Sequence, residues 1–209
     1  MRVCLRGADK TRTIERQHPM IRVITDSTSS IPADIREGLG IEVLSLVINR
    51  GGKSYVEAET DLDAFYQDIY EMVDDIPTSS QPSPEDAKEL LERIQADGDE
   101  ALGIFISSKM SGTFETFLRM AREVAQGHPG FKFAVIDSMT NCMELGHAVL
   151  AAAQAARDGQ DLQACAVFRA LSLYARVPAL FGKGRPHWKS CRADRQRYEY
   201  RPDSHRQGW

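Results

Sequence analysis

Residues 101–126, ALGIFISSKMSGTFETFLRMAREVAQ, decide the fold. ALGIFI is a short unbroken apolar run, the pattern of a strand buried on both faces of a parallel sheet. FETFLRMAREVAQ spaces its apolar residues at the helical period. Between them SSKMSGT (107–113) joins strand to helix through hydroxyls and one glycine. The same order recurs outward in both directions. IRVI (21–24) predicts a strand, followed by the hydroxyl loop TDSTSS (25–30) and a helix opening at Pro32, since proline suits a first helical turn. FKFAVID (131–137) predicts a strand and LGHAVLAAAQAARDG (145–159) a helix. PEDAKELLERIQADG (84–98) predicts a helix closed near Gly98. Strand and helix in alternation imply an α/β fold, a mainly parallel sheet flanked by helices.

The intervening segments read less sharply. GIEVLSLVIN (40–49) predicts one further strand, and GGKSYVE (51–57) a turn into a short exposed segment. DLDAFYQDIYEMVDD (61–75) places Leu62, Phe65, Ile69, Tyr70 and Val73 at the spacing of an amphipathic helix. A further hydroxyl loop, TSSQPSP (78–84), precedes the helix that starts at Pro84.

Bulk composition narrows the class. The chain has 209 residues, 42% hydrophobic and 27% charged, the balance of a soluble globular protein. No apolar run reaches the roughly 18 residues that span a bilayer, so integral membrane association is not expected. The first 19 residues are polar and basic, without the apolar centre of a secretory signal. They show no periodicity and are expected to be a disordered or non-native extension. Met20, which opens directly onto the first strand, is a candidate natural start. Cys4, Cys142, Cys165 and Cys191 are widely spaced, which argues against a zinc site or a disulfide framework and fits a reducing cytoplasm. The net charge of −4 divides unevenly. Residues 171–209 hold nine basic and three acidic residues, and the rest of the chain 17 and 27.

Hydroxyls and free N–H groups at helix N-termini form sites for anions, because unpaired donors and the helix dipole both favour negative charge there. In the first loop Asp26, Ser27 and the following hydroxyls serve either as turn and helix caps or as ligand contacts. Ser83, Pro84, Glu85 and Asp86 read as a cap, an N1 proline and first-turn acids. That leaves Thr78, Ser79, Ser80 and Gln81 beyond what a turn needs. In the third loop Gly112, between Ser111 and Thr113, would let a ligand approach the backbone. The loop lacks the lysine of a phosphate-binding Walker loop, and the dinucleotide glycine spacing is absent. Asp26 and Asp137 each end a strand before a serine. They either bond groups across neighbouring strand ends or cap their own turns. His147 reads as a packing or surface residue. No metal site is expected from two aspartates without nearby ligands. Two rivals to simple binding remain: a phospho-ligand-binding α/β protein, and a serine-dependent acyl hydrolase built on Ser111. The hydrolase lacks the G-x-S-x-G elbow and a base placed by sequence.

IRVITDSTSSIP, SSQPSP, ISSKMSGTFET and VIDSMT, in this order, resemble the DegV family of bacterial fatty-acid-binding proteins from about Met20 to Ala170. The resemblance implies an N-terminal α/β domain, a smaller α/β second domain, and a long-chain fatty acid held between them as ligand, with no cofactor. It implies that the carboxylate is held by Ser79, where the family commonly has threonine, and by Ser111. Thr78, Ser80, Gly112, Thr113, Asp26 and Ser27 are additional candidates. It also implies a separate fatty-acid kinase as partner, which phosphorylates the bound carboxylate, and no chemistry in this chain. After VIDS the family usually carries two nearby glycines, and here only Gly146 remains. Glu144 there would repel a carboxylate unless it points away.

The second domain of the family is not visible in residues 171–209. Read one base later, codons for residues 175–191 can spell L-E-Y-L-R-Y-L-E-K-G-G-R-I-G-K-A, which resembles the family's continuation. The tail is therefore expected to be out-of-frame translation and not a nucleic-acid-binding segment. Without that domain one wall of the acyl tunnel is absent, and the chain is expected to hold fatty acid poorly or not at all.

Overall fold

The computed structural model describes residues 19–166 and 198–200. Strands β1 (Ile21–Asp26), β2 (Glu42–Leu44), β6 (Glu100–Phe105), β7 (Phe133–Asp137) and β8 (Tyr198–Tyr200) form one sheet in the order β2-β1-β6-β7-β8. The pairs among β2, β1, β6 and β7 are parallel, and β8 joins β7 antiparallel. A second sheet, β4-β3-β5, is antiparallel and built from Val47–Arg50 (β3), Lys53–Val56 (β4) and Thr78–Ser80 (β5).

Alternation along the central strands divides the core into two layers. Val23, Leu102, Ile104, Ala134 and Ile136 turn to one face, where they meet Leu145, Val149, Ala152 and Ala153 of α5 (Cys142–Arg157). Ile24, Ala101, Phe105, Phe133 and Val135 turn to the other. There they meet Leu91 and Ile94 of α3 (Pro84–Ala96) and Phe117, Ala121 and Val124 of α4 (Thr113–Gly127). Both layers are apolar, and each large aliphatic or aromatic side chain so buried stabilises the fold by about 1.5–3 kcal/mol. This explains why β6 and β7 read as unbroken apolar runs. The shorter α1 (Ala33–Leu39) begins after Pro32 and ends at Gly40 in the left-handed conformation.

Two segments differ from their sequence reading. The single strand expected over residues 40–49 is two strands in different sheets, β2 and β3. The break has a cause in hydrogen bonding: Leu46 N–H donates to Ser27 Oγ at 2.9 Å, and Ser45 Oγ accepts Ala58 N–H at 2.9 Å. Residues 51–57 form the expected turn and short, largely exposed segment, which pairs with β3 as a hairpin; Gly51 and Gly52 take φ of 56° and 71°, as a tight two-residue turn between twisted strands requires.

The amphipathic helix expected over residues 61–75 is a single turn, α2 (Leu62–Phe65), followed by a 3₁₀ segment at Ile69–Asp74. Asp61 caps α2 by accepting Ala64 N–H at 3.1 Å. Its neighbours include Asp63, Asp68, Asp74 and Asp75, poor formers of helix interior. Ile69, Tyr70 and Val73 lie 52%, 92% and 71% exposed, whereas Met72, outside the apolar pattern, is buried. The proposed stripe never meets a core.

The expectations for residues 1–19 and for the tail fall almost wholly outside the described residues. Within the tail, only Tyr198–Tyr200 is described, as the edge strand on β7.

Candidate functional site

Because β1, β6 and β7 are adjacent and parallel, the loops that follow them gather along one edge of the sheet. That is where open α/β sheets bind their ligands. Two aspartates organise this edge. Asp26 ends β1, is fully buried, and accepts Ile106 N–H from beyond β6 at 2.8 Å. It also accepts the N–H of Thr28 at 3.0 Å and the Thr28 hydroxyl. Asp137 ends β7 and accepts both the Ser108 N–H, at 3.2 Å, and the Ser108 hydroxyl, at 2.7 Å. Met139 N–H donates to the same carboxylate at 2.9 Å. Each aspartate thus both bridges to the next strand's loop and caps its own turn. Burial pushes the Asp26 carboxyl above its ordinary pKa, against the pull of its three donors, and Glu57 adds to the rise.

Ser27 is already committed to the framework. Its hydroxyl accepts Leu46 N–H and donates to Glu57. The third loop is held by Ser107, whose carbonyl accepts Met110 N–H at 2.8 Å and Ser111 N–H at 3.1 Å. Ser111 then stands at the mouth of α4. Its Oγ accepts Thr113 N–H at 3.3 Å and lies 2.9 Å from Thr113 Oγ1. With Thr113 as donor in that pair, the Ser111 proton is free to be given to an anion. Gly112 is the N-cap of α4 and offers no side-chain cap, so Ser111 Oγ on the Thr113 N–H is the side-chain contact given to the first turn of this 15-residue helix among the described residues.

Thr78, Ser79 and Ser80, expected in a hydroxyl loop, instead form β5, the edge of the small sheet. Thr78 pairs with Asn49, Ser79 with Ile48 and Ser80 with Val47. All three are exposed. Ser80 Oγ accepts a long bond from Asn49 Nδ2, 3.5 Å. Among the described residues no hydrogen bond engages the hydroxyls of Thr78 or Ser79. Ser83 caps α3 as expected, accepting Asp86 N–H at 3.0 Å with Pro84 at the first helical position.

What the sequence reading left without a role is Gln81. Its side chain crosses to the third loop, where Nε2 donates to Thr116 Oγ1 at 3.1 Å and Oε1 lies over Gly112. Loops two and three therefore meet. The only sequence signal was that Gln81 is one polar residue more than a capped turn requires.

Comparison with known proteins bears directly on this arrangement. The family model described as "Uncharacterised protein, DegV family" matches residues 20–170. The chain belongs to the DegV family. A DegV domain-containing protein of Clostridium perfringens is 41% identical over 141 residues, covering 68% of this chain and 50% of that protein. One from Clostridium acetobutylicum is 40% identical over 144 residues, with the same coverage of 68% and 50%. The chain spans about half the length of the curated relatives it matches. Among solved structures, a fatty-acid-binding DegV family protein from Thermus thermophilus superposes with a TM-score of 0.63 at 34% identity, over 73% of this chain and 53% of that one. DegV of Bacillus subtilis, described as a fatty acid binding protein, gives 0.65 at 26% identity, over 74% and 54%.

Within this DegV domain the loop after β7 accommodates its departures from the family pattern. Glu144 accepts the Thr140 hydroxyl, so its carboxylate is engaged locally. Cys142 takes φ of 52°, a left-handed conformation that costs a side-chain-bearing residue roughly 1–2 kcal/mol and costs glycine little. Gly146 is retained for a different reason. A Cβ there would lie 2.4 Å from the Ser29 carbonyl oxygen, so α5 packs against the first loop backbone to side-chain-free backbone. His147 is exposed and its Nδ1 meets the Met143 carbonyl, a surface role. Neither described histidine, His128 or His147, bonds Ser111.

Proposed function

We propose that this DegV domain binds a long-chain fatty acid through its carboxylate, with Ser79 and Ser111 as hydroxyl donors, and presents the head group to a partner fatty-acid kinase. The observation that supports the reading is the Gln81–Thr116 bond, which joins the segment after Ser79 to the helix that follows Ser111. Ser111 is backed by Thr113 at a helix N-terminus, and Ser79 lies on an exposed edge strand. Ser27 and Asp26, by contrast, are spent on the framework and serve the site by shaping it. The descriptions of the Thermus thermophilus and Bacillus subtilis relatives as fatty-acid-binding supply the ligand class.

The physics favours this division of labour. A carboxylate taken out of water needs donors, and each hydrogen bond to it contributes about 1.5–3 kcal/mol. The acyl chain contributes about 0.8 kcal/mol per buried CH₂, so it dominates affinity while the hydroxyls fix the head group. An exposed head-group site is what a kinase would need in order to reach the carboxylate. The head-group contacts show best as a difference between an acid and its matched alcohol.

Extraction and mass spectrometry of lipid from the purified chain, before and after incubation with oleate, tests the reading. Bound fatty acid supports it. A bound phosphorylated sugar or nucleotide would favour the anion-site alternative, and esterase turnover lost in Ser111→Ala would favour an acyl hydrolase.

A further inference from the structure

We propose that Gln81 is a positioning residue that sets the separation of the two carboxylate-binding hydroxyls, and that residue 112 is glycine to leave room for it. The inference rests on the fatty-acid reading above.

Three features of the chain make Gln81 suited to this. It follows Ser79 by two residues and precedes Pro82, which is buried. A residue before proline is confined to extended backbone, so the link from Ser79 to Pro82 is short and stiff. Its amide reaches α4 at two places. Nε2 donates to Thr116 Oγ1 at 3.1 Å, one turn into the helix. Oε1 lies over Gly112, where a Cβ would approach to 2.4 Å. Gly112 is bonded directly to Ser111. One side chain therefore spans from the strand bearing Ser79 to the residue beside Ser111 and to the helix whose N–H groups complete the anion site.

The glycine does not serve the backbone. Its φ of −80° is open to any residue, so no left-handed turn demands glycine here. What excludes a larger residue is the Gln81 amide alone, since the nearest atoms to that Cβ all belong to Gln81. That amide is the far end of a flexible side chain. Alanine at 112 would push it aside at small cost in stability, giving a second and independent way to open the latch.

The test measures affinities of the full 209-residue chain for oleate and for oleyl alcohol, with melting temperatures alongside. Gln81→Met keeps the length of the side chain and removes its polar contacts, and Gly112→Ala displaces the amide without touching it chemically. Both variants are expected to lower the preference for oleate over oleyl alcohol about three- to tenfold, the range of one lost hydrogen bond. Affinity for the alcohol should stay at the wild-type value. A merely structural role would weaken both ligands together and leave the ratio unchanged, which would overturn the proposal. An unchanged ratio in both variants beside a lowered one in Ser111→Ala would also overturn it, while leaving the fatty-acid reading intact. A wild type without preference for oleate would remove that reading and this inference with it.

Discussion

The Ser108 hydroxyl and amide both donate to the Asp137 carboxylate, at 2.7 and 3.2 Å, tying the loop after β6 to the end of β7. The Asp26 carboxylate does the same for the Ile106 amide, one strand over. Two buried or nearly buried carboxylates thus fix the middle loop from both sides, at 0% and 5% exposure. These contacts hold the loop after β6, which leads to Ser111, in place without any ligand.

Asp26 should govern the pH dependence of stability. In the unfolded chain it titrates near the ordinary carboxylate value of about 3.9. In the folded chain burial raises it. Its contribution is therefore full below about pH 4 and declines as pH climbs through the raised folded value. Asp26→Asn should cost about 1–3 kcal/mol at low pH, since the amide nitrogen cannot accept one of the N–H donors. The gap to wild type should narrow as pH rises. Urea unfolding from pH 3 to 7 checks this, and a gap that widens with pH would contradict it.

Gly146→Ala should destabilise the domain by about 1–3 kcal/mol, the usual range for overpacking. The new Cβ meets the Ser29 carbonyl at 2.4 Å and Ile31 Cγ1 at 3.2 Å, and backbone cannot swing away. Thermal unfolding should show a loss of several degrees. An unchanged melting temperature would mean that α5 is not seated against the first loop as described.

The two described cysteines should differ sharply in reactivity. Cys142 is exposed, whereas Cys165 is buried and its thiol is pushed up to about 11, chiefly by burial. At pH 8 almost none of Cys165 is thiolate, the reactive form. Iodoacetamide labelling mapped by mass spectrometry should modify Cys142 in the native chain and Cys165 only after denaturation. Equal rates would contradict the packing of Cys165 in the α5 layer.

Much of this fold is legible in the sequence because burial on both faces leaves a plain record. The runs at 101–106 and 131–137 are apolar at nearly every position, and α4 carries its period openly. The failures have local causes. Residues 61–75 imitate an amphipathic helix, yet no core lies opposite Ile69, Tyr70 or Val73, and spacing alone cannot reveal that. The division of residues 40–49 depends on hydroxyls of Ser27 and Ser45, each bonded to backbone distant in sequence. At the site, Ser111 and Ser79 stand out because hydroxyls cluster in motifs. The contact of Gln81 with Gly112 and Thr116 has no sequence pattern, since it joins segments more than 30 residues apart.

The most direct test of the fatty-acid reading is titration of the chain with oleate and with oleyl alcohol, comparing wild type with Ser79→Ala, Ser111→Ala and the double variant. Each lost hydroxyl should remove about 1.5–3 kcal/mol of binding to the acid, tenfold or more, and little of binding to the alcohol. Wild type should therefore prefer the acid, each single variant less so, and the double variant hardly at all. Equal affinity of wild type for acid and alcohol, or a double variant that retains the full preference, would contradict the assignment of these two hydroxyls to a carboxylate.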